Sequence, residues 1–164
     1  MNSLPRRITP ADLPVLAALN DAAVPAVSPL GLAGLTALLP HCDTAVVLDD
    51  DAGTPVAFLL ALVAGAEYAS ENYQWFEANR PGSLYVDRLA VAPRAHGRGL
   101  GRLLYEAVAA RAETLGLTEI TCEVNLEPPN PESMAFHARL GFVQVGEQST
   151  KGETVRVALL ARRA

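Results

Sequence analysis

The stretch from Leu84 to Leu115 restricts this chain more than any other part of it. Ser83 to Val91 reads as a strand, with Leu84, Val86, Leu89 and Val91 as β-formers, and it stops at Ala92-Pro93. A glycine-rich turn, Gly97-Arg98-Gly99-Leu100-Gly101, follows. From Leu100 the pattern becomes helical: Leu100, Leu103, Leu104, Ala107, Val108 and Leu115 form one stripe, closed by Gly116. Glycines let the backbone turn tightly and approach a ligand. The helix that follows presents unpaired N–H groups and a partial positive charge at its start. Such a turn suits a phosphate or diphosphate, and Arg98 and Arg102 add mobile positive charge. Two common phosphate templates fail. A P-loop ends in Gly-Lys-Ser/Thr, whereas this turn ends Leu100-Gly101-Arg102. A dinucleotide fingerprint needs a glycine at its sixth position, which here is Arg102 or Leu104.

Strands and helices alternate around this segment. Arg6 to Thr9 reads as a short strand, and Thr9, Pro10 and Asp12 open a helix as N-cap, first helical residue and first-turn acid. Val24 to Gly31, with two prolines, reads as a loop, and a second helix runs from Leu32 to Leu39 before Pro40. Thr44 to Leu48 and Pro55 to Ala64 form a hairpin about the polar turn Asp49 to Gly53. Thr118 to Val124 is a strand, and Pro131 to Leu140 a helix stopped by Gly141. Phe142 to Gly146 and Thr154 to Leu160 are closing strands. This order implies an α/β or α+β fold with a mixed sheet. Gly65 to Gly82 reads as a loop holding Tyr68, Tyr73, Trp75 and Phe76, either a flap over a core edge or a wall for a substrate.

Composition narrows the class. A length of 164 residues suits one domain, residues 1–164, able to bury a core without a metal or disulfide. Half the residues are hydrophobic and 19% are charged, which excludes a disordered or fibrous chain. The net charge of −5 argues against nucleic acid or an anionic membrane as partner. The longest apolar run, Pro55 to Ala66, falls short of the roughly 20 residues that span a bilayer. The N-terminus has no apolar stretch of signal-peptide type, and Cys42 and Cys122 lie too far apart for a CxxC motif. The expectation is a cytoplasmic protein with reduced thiols and no metal.

Two motifs together resemble the GNAT N-acetyltransferase superfamily. Leu89, Val91, Pro93 and His96-x-x-Gly99-x-Gly101 are similar to its motif A, with His96 where glutamine or arginine is usual. Asn130-Pro-Glu-Ser133-Met-Ala-Phe136-His137-Ala-Arg-Leu140-Gly141-Phe142 is similar to its motif B, with His137 where the family has tyrosine. The resemblance implies a mixed, mostly antiparallel sheet of roughly six or seven strands, flanked by about four helices and splayed between its fourth and fifth strands. It implies acetyl-coenzyme A as donor, direct attack in a ternary complex, and a small-molecule amine as acceptor. The alternative is a coenzyme-A-binding module of the same fold without catalysis. A homodimer through the C-terminal strands is a further expectation.

The resemblance also assigns roles. The backbone of Leu89, Ala90 and Val91 would bind the pantetheine arm. His96, Gly97, Arg98, Gly99, Leu100, Gly101 and Arg102 would form the diphosphate cup. Asn125, Asn130, Ser133 and Phe136 would complete the cofactor site, although capping and turn chemistry explain Asn125 and Asn130 equally well. Acetyl transfer needs a base for the amine, polarisation of the carbonyl and a hydrogen bond to the departing thiolate. His137 is the first candidate for that hydrogen bond, with Tyr68, Tyr73, Tyr85 and Tyr105 behind it and Tyr105 the most packed of these. Asp87 is the first candidate base and Glu123 the second. Tyr68, Tyr73, Trp75 and Asp87 are candidate acceptor contacts, and Glu71 and Glu77 could hold an amine.

Overall fold

A computed structural model describes residues 4–164; the first three residues of the N-terminal stretch read above lie outside the described residues. The elements in chain order are β1 (Arg6–Arg7), α1 (Leu13–Ala22), α2 (Gly31–Leu38), β2 (Thr44–Asp49), β3 (Pro55–Leu62), α3 (Glu71–Asn79), β4 (Ser83–Val91), α4 (Leu100–Thr114), β5 (Glu119–Glu127), α5 (Pro131–Arg139), β6 (Val143–Thr150) and β7 (Val155–Arg163). They build one seven-stranded sheet in the order β1-β2-β3-β4-β5-β7-β6. Every pairing is antiparallel except that of β4 with β5.

Helices cover both faces. On one face α4 buries Leu100, Leu104, Tyr105, Val108 and Ala112, with α5 beside it. On the other, α1, α2 and α3 bury Leu16, Leu35, Tyr73 and Phe76. β3 lies between covered faces, and all eight of its residues are buried. This is why its sequence is a continuous apolar run and not an alternating one.

Several boundaries differ from the sequence reading. The segment read as an aromatic loop contains the helix α3, which makes the helices five among the described residues. The Ser70 side chain caps it by accepting from the Tyr73 N–H at 3.2 Å. Only Tyr73 and Phe76 of α3 are buried, so one narrow apolar edge is all that its sequence shows. Pro10–Asp12 is a 3-10 turn, and α1 starts after it at Leu13. Asp12 closes that turn by accepting from the Thr9 N–H at 2.7 Å and from Arg6 at 2.9 Å. α2 runs on through a 3-10 turn at Leu39–His41. β1 is only two residues long, while β5 and β6 extend past the expected ends to Glu127 and Thr150.

Candidate active site

The parallel pairing of β4 with β5 is confined to Ser83–Tyr85 against Glu119–Thr121. Beyond Tyr85 the strands part, although β4 stays paired with β3 and β5 with β7. At the start of the divergence β4 carries a bulge: its register passes from Val86↔Ala61 to Arg88↔Leu60, leaving Asp87 unopposed. A bulge bends its strand and re-aims a side chain. Here it brings Asp87 to a cleft of about 560 Å³ whose lining comes from both faces of the sheet.

The two predicted bases stand across this gap in different company. Asp87 accepts from Tyr68 Oη at 2.8 Å and from Arg88 Nε at 2.7 Å, and both side chains of the Asp87–Arg88 pair are only 3% exposed. Glu123, on β5, accepts from Tyr85 Oη at 2.8 Å. Burial, then the nearby negative charge of Asp87, pushes the Glu123 carboxyl up to about 8. A carboxyl poised there exchanges protons near neutral pH, as a general base must. Asp87 is held by Arg88 and Tyr68, whereas Glu123 is held by Tyr85.

His137 lies on the opposite side of the sheet. Its Nδ1 is 2.7 Å from the Ser133 carbonyl, which can only accept, so Nδ1 carries the proton. Nε2 therefore accepts from Tyr105 Oη, 2.8 Å away. Burial holds the imidazole pKa below its ordinary value, which favours this neutral form. His137 thus has no N–H to spare for a leaving group in this arrangement. Tyr105, which the sequence places on a packed stripe, is both buried and on the cleft wall.

The glycine turn divides its labour. Gly97 and Gly99 have φ of +76° and +73°, and no atom lies within 4 Å of where a Cβ would stand. Gly99 is the N-cap of α4, so the open side of the turn leads to the unpaired N–H groups of the first helical turn. Gly101 differs: a Cβ there would meet Phe136 Cζ at 2.9 Å, so it serves the packing of α4 on α5. His96 Nε2 lies 2.9 Å from the Val91 carbonyl and braces the turn against the end of β4. Leu100 is buried, Arg98 is exposed and Arg102 pairs with Glu106. Residues 97–102 do not line the cleft but lie past the end of β4. Leu89 lines the cleft, while Ala90 is buried in the core and Val91 packs against the core of the other face.

The remaining expectations separate. Asn125, Asn130, Ser133 and Phe136 all line the cleft. Asn125 Nδ2 donates to the Pro25 carbonyl at 2.9 Å, and Asn130 caps α5 by accepting from the Ser133 N–H at 3.2 Å. Tyr68 and Glu71 are on the cleft wall. Tyr73 and Trp75 are not. Tyr73 is buried, donating to the Val63 carbonyl at 2.7 Å and accepting from the Ala66 N–H at 2.9 Å. Trp75 packs against Gly146 of β6, and Glu77 accepts from the Gly65 N–H. Helix formation explains both displacements, because it turns alternate aromatics of α3 toward the core and β6.

Three contributors were not singled out as site residues in the sequence. These are Arg88, Asn20 and Ser28. The Arg88 guanidinium donates to Asn20 Oδ1 at 3.0 Å, the Ser28 carbonyl at 3.2 Å and Ser28 Oγ at 3.2 Å. An adjacent acid–base pair, Asp87-Arg88, inside a strand of β-formers was the available signal.

Comparison with known proteins agrees with this architecture. The acetyltransferase (GNAT) family model matches residues 17–142. Phosphinothricin N-acetyltransferase of Alcaligenes faecalis is 33% identical over 106 residues, covering 62% of this chain and 51% of that protein. Mycothiol acetyltransferase of Pseudarthrobacter chlorophenolicus is 31% identical over 113 residues, covering 65% of this chain and 33% of that protein. The match thus spans about half and about a third of the lengths of these relatives. Among solved structures, Ard1 of Thermoplasma volcanium superposes with a TM-score of 0.80 at 16% identity, over 100% of this chain and 99% of that one. A phosphinothricin acetyltransferase of Sinorhizobium meliloti, in complex with acetyl-coenzyme A, gives 0.74 at 19% identity, over 99% and 89%. The ribosomal-protein-S18-alanine N-acetyltransferase of Escherichia coli gives 0.75 at 18% identity, over 98% and 93%.

Proposed function

Since the chain belongs to the GNAT acetyltransferase family, we propose that it is an N-acetyltransferase taking acetyl-coenzyme A as donor and a small-molecule amine as acceptor. The observation that carries this reading is the distribution of polar groups across the splayed sheet. Glu123 and Asp87 stand on the face of α1 to α3, Tyr105 and His137 on the face of α4 and α5, with the opening between them. A base and a hydroxyl that reach one gap from opposite faces suit a reaction in which a nucleophile enters from one side and a leaving group departs on the other.

The residues fit the donor. Gly97 and Gly99 leave open the space that side chains would fill, beside the α4 N-terminus. Amides 97 to 102 would grip the diphosphate, and the parted strands would offer backbone groups to the amide-bearing arm. When bound, acetyl-coenzyme A supplies an activated acetyl group as a thioester. Glu123 takes a proton from the acceptor ammonium, leaving a neutral amine to attack. The N–C bond forms as the C–S bond breaks, and the second proton lost by nitrogen ends on the thiol. The Tyr105 hydroxyl faces the same gap; its proton is given to His137, so it would partner the sulfur only on exchanging that hydrogen bond. Among the relatives, phosphinothricin N-acetyltransferase supports a small acceptor.

The test is direct. Coenzyme A should raise the melting temperature, and thiol should be released from acetyl-coenzyme A when amines are added. Binding without turnover of any amine would leave a coenzyme-A-binding module. No thermal shift would remove the donor site.

A further inference from the structure

The acceptor side of the cleft has a chemical character of its own. Val24, Pro25, Val27 and Pro29, from the connection between α1 and α2, line it together with Val155 and Val157 of β7. The four connection residues belong to neither packed cluster: Val27 is half-buried and the other three are exposed, so their apolar surface is free to be covered by a ligand.

This wall is held in place. Buried Arg88 grips Ser28 through both its carbonyl and its hydroxyl, each at 3.2 Å. Asn20 Nδ2 donates to the same carbonyl at 3.1 Å, and Asn125 fastens Pro25 from β5 at 2.9 Å. The connection therefore bridges the two strands that part below it.

Negative charge on this side is largely matched. The Asp87 carboxylate is matched by Arg88. Glu71, at the rim, receives the Lys151 N–H at 3.0 Å, and Lys151 lines the same cleft with its own positive charge. Glu123 remains as the carboxyl of the floor, sharing the Tyr85 hydroxyl. An acceptor with several ammonium groups would find one such carboxyl and lose hydration from the rest. An acceptor with one amino group and an apolar body would place the nitrogen by Glu123 and displace water along the valines and prolines.

We propose that the acceptor is a monoamine with an apolar body, and not a polyamine or an aminoglycoside. This rests on the N-acetyltransferase reading and names its substrate class. The experiment measures thiol release from acetyl-coenzyme A with butylamine, hexylamine, phenethylamine, spermidine and kanamycin, for the native protein and Val27→Glu. The native kcat/KM should rise at least about tenfold from butylamine to hexylamine, as added methylenes fill an apolar pocket. Hexylamine and phenethylamine should both exceed spermidine and kanamycin. Val27→Glu should lower kcat/KM for hexylamine about tenfold, with coenzyme A affinity by calorimetry changed less than about twofold. Greater kcat/KM for spermidine or kanamycin, or no effect of Val27→Glu on hexylamine, would overturn the acceptor class. Coenzyme A binding with no thiol release from any of the amines would overturn the N-acetyltransferase reading itself, and the acceptor class with it.

Discussion

Tyr105 gives its hydroxyl proton to His137 Nε2 at 2.8 Å, because the other ring nitrogen is already spent on the Ser133 carbonyl. The pair locks α4 to α5 with the imidazole neutral. Burial lowers the folded-state pKa of His137 below the ordinary 6.5, so below that pH the unfolded chain binds a proton that the folded chain does not. Stability from this group is present above about pH 6.5 and falls as the pH drops toward the lowered value. His137→Gln should flatten the decline of melting temperature below about pH 6.5. An unchanged decline would place the acid sensitivity elsewhere. Tyr105→Phe leaves Nε2 without a donor and should cost about 1–3 kcal/mol. Its kcat should fall more than its affinity for coenzyme A. Full turnover at saturating substrates would remove Tyr105 from the sulfur side.

Glu123 carries the opposite sign. Its folded-state carboxyl is raised to about 8 from an ordinary 4.5, so the folded protein holds a proton that the unfolded chain releases. Its contribution is fully present below pH 4.5 and is lost as pH rises through about 8. Glu123→Gln keeps an acceptor for Tyr85 and removes that loss. The variant should melt at a higher temperature than the native protein at pH 8, with the difference vanishing near pH 4.5. Its kcat/KM should fall by about 10²–10⁴. The native kcat/KM should climb with pH through a limb near 8, which the variant lacks. A native pH profile with no such limb would exclude Glu123 as the base.

The glycines of the turn should respond in two different ways. Gly99→Val forces a β-branched residue to φ +73°, a strain of roughly 1–2 kcal/mol, and fills the space beside the α4 amides. Coenzyme A binding should be lost, as measured by calorimetry. Gly101→Val drives a side chain into Phe136 and should lower stability by about 1–3 kcal/mol in denaturant unfolding. Retained affinity in Gly99→Val would show that the diphosphate sits elsewhere.

Arg88 separates position from charge. Arg88→Lys keeps the charge but cannot span Asp87, Asn20 and Ser28 with one planar fork. Acceptor KM should rise about tenfold while coenzyme A affinity stays within about twofold. Arg88→Met leaves Asp87 buried without its partner and should cost about 3–5 kcal/mol. Equal losses of donor and acceptor affinity in Arg88→Lys would make Arg88 a general support of the fold.

The strand, glycine turn and helix from Ser83 to Thr114 were legible because each is set by local chemistry: β-formers, glycines at positive φ, a helical stripe. Glu123 and Asp87 were legible as acidic residues among β-formers, but their surroundings were not, because these depend on the bulge at Asp87 and on Arg88 closing over it, both consequences of register. α3 was missed because its apolar edge is two residues wide, and Tyr73 and Trp75 were misplaced with it. Tyr105 looked like packing and is packing, but its hydroxyl ends beside His137, a meeting of residues 32 apart in sequence that no local pattern encodes.

The sheet is two leaves joined at only three residue pairs, Ser83 to Tyr85 against Glu119 to Thr121. A joint that narrow acts as a fulcrum, with the long arms of β4 and β5 as levers. A fraction of a degree at the fulcrum becomes a larger displacement between Asp87 and Glu123. The buried contact of Ser83 Oγ with Thr121 Oγ1 at 3.0 Å clasps that joint, and the Tyr85 hydroxyl, reaching Glu123 at 2.8 Å, is the first tie across the arms beyond it.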